Sequence, residues 1–268
     1  MKIPELKIGN MTSPIPIVQG GMGVRISLSS LASAVANEGG IGTISSIALG
    51  DLDTPGKKYE RISREALKKE IRKAKSMTSG NLAVNVMEAL SNAADLIKTA
   101  VAEGIKMIVI GAGLPLRLPR LVNDEEVNLV PIISSGRAGR LILRSWDKNY
   151  NRIADAFVLE GPLAGGHLGF SNEQLEHIEQ YPLDKLLMDV LEEIKPFEDK
   201  YGKKIPVIVG GGIAGLECAR NLSNSKLKIL VVEKNKSLGE KVCANGVTIG
   251  DLRLIPKKFL NFPLRKLT

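Results

Sequence analysis

Short apolar runs alternate with amphipathic stretches along the first two hundred residues. The apolar runs predict buried strands at Ile15–Val18, Gly40–Ser45, Leu82–Val86, Met107–Ile110, Val130–Ser134, Ala156–Glu160 and Pro206–Val209. Between these runs, apolar residues recur at three- and four-residue spacing. This spacing predicts helices at Leu28–Ala36, Arg64–Ser76, Ala89–Ala102, Arg137–Arg144 and Leu186–Phe197. The alternation of strands and helices predicts an α/β fold with a parallel sheet.

The segments that follow the predicted strands share one feature, which is that most of them contain glycine. They read QGGMG, NVM, GAGLP, SSG, EGPLAGGHLG and VGGGI. In a closed parallel barrel the carboxyl ends of all strands lie on one face, where active sites are built from the loops. A doubly wound open sheet would instead concentrate its ligand contacts at one switch point. The pattern therefore favours a (β/α)8 barrel.

Composition agrees with a globular enzyme-sized domain, because 44% of the 268 residues are hydrophobic and the mean hydropathy is +0.04. No apolar run approaches the roughly 20 residues that span a bilayer, and the first ten residues lack the apolar stretch of a signal peptide. The expectation is a cytoplasmic protein that does not bind membranes. Cys218 and Cys243 do not have the spacing of a metal site.

The net charge of +8 is concentrated at one end of the chain. Residues 203–268 contain 13 Lys and Arg against 4 Asp and Glu, whereas the remainder contains 24 against 25. Only Phe259 and Phe262 interleave with the basic residues of this tail, which is too few for a base-stacking surface. Binding of nucleic acid is not expected.

The segment from Glu160 to Gly169 combines a strand end, a glycine-rich loop and one imidazole, that of His167. Glycines allow backbone amides to approach a ligand closely, and the imidazole can accept or donate a proton. A histidine that is merely hydrogen-bonded within a loop is the alternative interpretation. His177 lies in the charged stretch NEQLEHIEQ and is interpreted as a solvated or capping residue.

The same segment resembles the E-G-x-x-A-G-G-H-x-G motif of nitronate monooxygenases and of their relatives, the FMN-dependent enoyl-acyl carrier protein reductases. The resemblance extends over residues 10–213 and includes further motifs in the same order. It implies that His167 is the catalytic base or hydrogen-bond donor. The positions that the resemblance and the glycine pattern assign to FMN are Gln19, Gly20, Gly21, Met22, Asn85, Gly111, Gly113, Ala164, Gly165, Gly166, Gly210, Gly211 and Gly212.

The resemblance implies that bound FMN and molecular oxygen convert an alkyl nitronate or nitroalkane to a carbonyl compound and nitrite. An enoyl-acyl carrier protein reductase that uses NAD(P)H is the first alternative. The second is an inactive hybrid that retains only residual nucleotide binding. The sequence contains no metal-ligand pattern, and it leaves the oligomeric state open, with a homodimer among the alternatives.

The resemblance breaks at the seventh strand. Gly210, Gly212 and Gly215 form a GxGxxG after a strand and before a helix, and Glu233 ends the next apolar run, which is the pattern of a dinucleotide site. Residues 207–267 resemble the amino-terminal FAD-binding end of geranylgeranyl reductase flavoproteins. The chain thus reads as two partial flavoproteins joined near residue 207.

A barrel can still close on this altered end. Lys228–Glu233 is a credible eighth strand and Ala214–Asn221 a credible seventh helix, with the amides of Gly210–Gly212 directed to the FMN phosphate. The predicted domains are therefore a barrel over residues 1–239 and an irregular tail over residues 240–268.

Overall fold

The computed structural model describes residues 4–54, 56–165, 167 and 169–210. Two short strands come first, followed by alternating helices and strands. The strands are β1 (Leu6–Ile8), β2 (Met11–Ser13), β3 (Ile41–Ser45), β4 (Asn81–Met87), β5 (Met107–Gly111), β6 (Asn128–Ile133), β7 (Phe157–Leu159) and β8 (Val207–Val209). The helices are α1 (Ser29–Asn37), α2 (Gly56–Met77), α3 (Ala93–Ala102), α4 (Leu118–Leu121), α5 (Gly136–Tyr150), α6 (Asn172–Glu176) and α7 (Leu183–Tyr201), with a 3₁₀ turn at Ile178–Gln180.

The strands β3 to β8 form one curled parallel sheet in which every strand pairs with its neighbours in sequence order. This order is that of a barrel wall, and it confirms the predicted α/β class. The predicted strand Lys228–Glu233, the helix Ala214–Asn221 and the proposed boundary at residue 239 lie outside the described residues.

The segment Ile15–Val18 does not form the continuous first strand that the sequence predicts. It contributes a single parallel bridge, between Val18 and Ile41, beside β3. Pro14 and Pro16 have no amide hydrogen to donate to a ladder, so the segment cannot pair along its whole length. It nevertheless occupies the position of a barrel strand next to β3.

Side chains alternate between two cores along the strands. Met107 and Val109 of β5 belong to a small apolar cluster inside the curled sheet, whereas Ile108 and Ile110 belong to a larger cluster under the helices. Ile8 of the β1–β2 hairpin joins the inner cluster. The hairpin therefore covers the amino-terminal end of the sheet, and the opposite end carries the glycine-containing loops that follow the strands.

The predicted helices are present, but several extend further than the sequence indicated. Helix α2 begins at Gly56, eight residues before the predicted start at Arg64. Ile62 packs in this first part, with its Cγ2 2.5 Å from where a side chain on Gly50 would begin. Tertiary packing thus stabilises a stretch whose charged composition did not show a helical pattern.

Candidate active site

The loop after Val18 lies directly against Asn85 of β4. A Cβ atom added to Gly21 would lie 2.3 Å from Asn85 Cβ and 2.6 Å from its Cγ, so only glycine fits at this approach. Two segments that the sequence assigned separately to one ligand, QGGMG and NVM, are therefore in contact. Asn85 is partly exposed, and its side chain projects from the carboxyl half of β4.

The side chain of Gln19 extends the hydrogen bonding to β3 beyond the point at which the Gln19 backbone departs from the sheet. Gln19 N–H donates to Ile41 O, and Gln19 Nε2 then donates to Thr43 O at 3.0 Å while Oε1 accepts from Thr43 N–H at 3.2 Å. The carboxamide thus replaces one peptide unit of the missing first strand. These bonds occupy both ends of the Gln19 side chain, so its role in the described structure is to anchor the Gly20–Gly23 loop.

Ser27 holds the same loop from its other end and was not identified from the sequence. Its buried hydroxyl accepts from Met22 N–H and from Gln19 Nε2 and donates to Gly20 O, each at 3.0 Å. The Met22 amide is therefore engaged within the loop. The sequence signal available was weak, because a serine shortly before a helix usually indicates a cap.

A cavity of about 400 Å³ opens beside β5, β6 and β7 at the carboxyl end of the sheet. His167 lies in its wall with an exposed side chain, and Gly113 belongs to the same lining. The other lining residues are Ala112, Leu114, Ile132, Ile133, Ser134, Ser135, Ala138, Glu160 and Gly169. Its volume falls in the range of ligand pockets, roughly 300–1,000 Å³, and its walls are apolar with a few polar groups.

Glu160 is the ionisable neighbour of His167 in this wall. It follows β7 directly, and its N–H donates to Ile133 O at 2.9 Å, which fixes it against β6. Burial raises the pKa of the Glu160 carboxyl above its ordinary value of 4.5. In the sequence, this residue opens the motif that contains His167, but the motif alone assigned it no role.

The glycines after β5 bring a second carboxyl towards the same end of the sheet. Gly113 has φ +146°, a conformation that favours glycine, and a Cβ there would lie 3.1 Å from Glu88 Cβ. Gly111 ends β5, and a Cβ there would lie 3.0 Å from Ile132 Cδ1 in the cavity wall. Partial burial raises the pKa of the Glu88 carboxyl.

The loop that carries His167 packs against the end of β6. A Cβ on Gly169 would lie 2.8 Å from Ser134 Oγ, and Ala164 N–H closes a turn onto Gly161 O. Ser135 caps helix α5 by accepting from Ala138 N–H. The Ser134–Gly136 segment thus contains two serines that line the cavity, one of which caps α5.

The last predicted contacts fall at the edge of the described chain. Gly210 N–H donates to Leu159 O at 2.8 Å, so this amide is used in the sheet and is not directed to a phosphate. A Cβ on Gly210 would lie 3.2 Å from Leu159 O and 3.5 Å from Glu160 Cγ. Gly166, Gly211 and Gly212 lie outside the described residues. Gly165 is described and exposed.

This arrangement is compatible with a flat flavin ring. The close approaches at Gly21 and Gly113 keep side chains out of the carboxyl end, Asn85 offers an amide for a polar edge, and Leu114 and Ile132 offer apolar surface. Within the described part of the chain, no group of three His, Cys, Asp or Glu side chains is arranged to hold a metal ion. Among the described helices, none is long and apolar enough to cross a membrane.

Two protein-family profiles match the chain. The family profile described as nitronate monooxygenase matches residues 5–218, which is most of the chain. The chain belongs to the nitronate monooxygenase family. A second profile, described as an NAD(P)-binding Rossmann-like domain, matches residues 208–247. The two matches meet where the sequence departs from this family's pattern. No curated protein matches the chain.

Solved structures show the same fold. FabK from Thermotoga maritima is 26% identical, with a TM-score of 0.57 over 77% of this chain and 55% of FabK. A nitroalkane oxidase from Streptomyces ansochromogenes is 20% identical, with a TM-score of 0.58 over 79% of this chain and 62% of that one. A mandelate oxidase mutant with a monooxide FMN adduct is 14% identical, with a TM-score of 0.50 over 79% and 62%. The chain therefore spans less than two thirds of each of these proteins.

Proposed function

We propose that this family member is an FMN-dependent oxidoreductase that converts alkyl nitronates to carbonyl compounds and nitrite with molecular oxygen. The observation that carries the proposal is the cavity in which His167 and Glu160 share a wall with apolar side chains. Family membership supports a flavin cofactor, and the mandelate oxidase of similar fold carries an FMN adduct. Two nitronates and one dioxygen would give two carbonyl compounds and two nitrites, which balances atoms and charge.

FMN, when bound, would supply the electron transfer between nitronate and oxygen. Gly20, Gly21, Asn85 and Gly113 would hold its ring, because Gly21 packs on Asn85 at the end of β4 and Gly113 lines the cavity beside β5. The rest of the proposed mechanism concerns what the chain itself does to the substrate.

His167 would bind the nitro end of the substrate. An imidazole N–H can donate to the negatively charged nitronate oxygens, and an unprotonated ring nitrogen can accept the proton from the carbon beside a nitro group. Its exposed position in the cavity wall leaves it accessible to a small ligand. Leu114 and Ile132 would contact the alkyl part of the same substrate.

Glu160 would bind the nitronate when its carboxyl is protonated. A buried carboxylate in the same cavity would repel an anionic nitronate, whereas a neutral carboxyl can donate a hydrogen bond to it. The raised pKa of Glu160 favours this neutral form over a wider pH range than for an exposed glutamate. The proposed anion site therefore consists of the His167 imidazole and the Glu160 carboxyl, which binds in its protonated form.

The first experiment is the visible spectrum of the purified protein, followed by chromatography of the released cofactor. We expect FMN. Released FAD would direct attention to the dinucleotide pattern after residue 208, and a folded protein without flavin would support the inactive hybrid. Reduction of the bound flavin by a nicotinamide nucleotide, with turnover of an enoyl thioester, would favour the enoyl reductase alternative.

The second experiment compares His167→Ala with His177→Ala in an assay of nitrite release from a nitronate. His177 is the matched control, because it is exposed beyond α6 and lies within 3.6 Å of Glu179 rather than in the cavity. Loss of an acid–base group should lower kcat/KM by about 10²- to 10⁴-fold in His167→Ala. Activity of the control should equal that of wild type. Full activity of His167→Ala would exclude the proposed role.

A further inference from the structure

Two hydroxyls inside the curled sheet have no hydrogen-bond partner among the described residues. Thr43 and Ser45 are alternate residues of β3, each 1% exposed, and both face inward on the row that contains Ile41 of the inner cluster. Their backbone groups are bonded, since Thr43 pairs with the Gln19 carboxamide and Ser45 N–H donates to Ser27 O. Only the two side-chain hydroxyls are left without a hydrogen-bond partner among the described residues.

A buried hydroxyl without a partner destabilises a folded protein, and native structures contain few of them. Two such hydroxyls in succession on one inward row of β3 therefore indicate that a polar group of a ligand contacts this part of the strand in the ligand-bound protein. Ser45 is better placed for it than Thr43. In the parallel register Ser45 lies beside Asn85, whereas Thr43 lies one pleat deeper beside Ala83.

The surroundings of Ser45 connect it to the site. Its hydroxyl lies 3.9 Å from where a Cβ on Gly23 would be, so it sits beneath the loop that also packs Gly21 on Asn85. Ser46 N–H donates to Asn85 O, which holds the ends of β3 and β4 together. Ser45 and the Asn85 amide thus project at one level from adjacent strands.

We propose that Ser45 is a further flavin-binding residue, whose hydroxyl donates a hydrogen bond to a nitrogen or oxygen atom on the polar edge of the ring, next to Asn85. This inference rests on the proposed function for the identity of the ligand. Because the loop above it closes off the Ser45 hydroxyl, the Gly20–Gly23 loop would move to admit the ring and then pack against it. The hydroxyl gains its partner only in the complex.

The test exploits opposite effects on the free protein and the complex. Ser45→Ala removes an unpaired buried hydroxyl, so the flavin-free protein should gain stability, with a melting temperature higher by roughly 2–4 °C. The same change removes a hydrogen bond to the flavin, so the Kd for FMN, measured by quenching of flavin fluorescence, should rise about 3- to 10-fold. If Ser45 had a purely structural role, its replacement would either lower the melting temperature while raising the Kd, or leave the Kd at the wild-type value.

Ser29→Ala is the matched control. Ser29 is equally buried and its hydroxyl is also unpartnered among the described residues, but it lies at the start of α1, where its N–H donates to Glu70 of α2. This variant should raise the melting temperature of the flavin-free protein and leave the Kd for FMN at the wild-type value.

The outcomes separate this inference from the proposed function. Wild-type affinity for FMN in Ser45→Ala would overturn the inference and leave the proposed function standing. A lower melting temperature of flavin-free Ser45→Ala would also overturn it, because the hydroxyl would then already be bonded, for example to a buried water. A wild-type protein that binds no flavin would overturn both. Flavin binding without nitronate turnover would overturn the proposed function, while the expected shifts in Ser45→Ala would still support this inference.

Discussion

Gly21→Ala tests whether the first loop and β4 form one binding surface. The added Cβ would lie 2.3 Å from Asn85 Cβ, 2.6 Å from Cγ and 2.9 Å from Oδ1. Ordinary contact begins near 3.4 Å, so the loop and the strand must separate by about 1 Å. The nearest atom belongs to the root of the Asn85 side chain, and a change of rotamer cannot relieve the clash.

The size of the effect follows from this overpacking. Extra methylene groups in tight packing cost about 1–3 kcal/mol, which corresponds to a melting temperature lower by roughly 3–10 °C for a chain of this length. Displacement of the Asn85 amide should also raise the Kd for FMN by about 3- to 10-fold, because one hydrogen bond would be weakened. Differential scanning fluorimetry and a flavin fluorescence titration measure the two effects.

Two variants make the result interpretable. Gly139→Ala in helix α5 is the control, because its Cβ would approach only the far end of the Ile133 side chain, at 3.3 Å, and its melting temperature should match or exceed that of wild type. Adding Asn85→Gly to Gly21→Ala removes all three clashing atoms, so stability should recover in part while FMN affinity stays low. If Gly21→Ala left both stability and FMN affinity unchanged, the close approach of the loop to β4 would be refuted.

Two further predictions concern residues that act beside this contact. In Gln19→Glu, a carboxylate oxygen would face Thr43 O in place of the donating Nε2. We expect the free energy of unfolding, measured with urea, to fall by about 1–3 kcal/mol. Gln180→Glu, at an exposed position, is the control and should leave this free energy unchanged. Burial raises the pKa of Glu160 above 4.5 in the folded state, so the folded state holds this proton more tightly than the unfolded state does. The free energy of unfolding should therefore fall as pH rises from 4.5 through the raised pKa, and level off above it. Glu160→Gln should flatten that part of the fall in urea midpoints, and an identical pH profile in wild type and variant would contradict the assignment.

The order of the elements was predictable because it depends on local patterns. Apolar runs and helical spacing located β3 to β8 and the longer helices to within a few residues in most cases, since each buries one recurring face. The chief errors were the early start of α2 and the first strand. Helix α2 gains its first turns from packing against the β3 loop, and Ile15–Val18 loses most of its pairing because of its prolines.

The position of the candidate site follows from the sequence as well, because glycines after successive parallel strands must collect at one end of a sheet. The sequence identified His167 and Gly113 separately, and the structure sets both in one cavity wall. The glycine pattern could not show how individual polar groups are used. Gln19 was expected to contact a ligand, yet its carboxamide bonds to Thr43.

By itself, then, the sequence determined the fold class and the family and predicted the end of the sheet at which the candidate site lies, because periodicity and ordered motifs are properties of short segments. Only the tertiary structure decided which polar atoms remain available there. Ser27 and Gln19 use their hydrogen bonds within the loop, whereas, among the described residues, Ser45 has an unpartnered hydroxyl in a buried position and Glu160 a carboxyl in a half-buried one. Burial and hydrogen-bond pairing depend on neighbours from distant parts of the chain, and a linear pattern does not contain them.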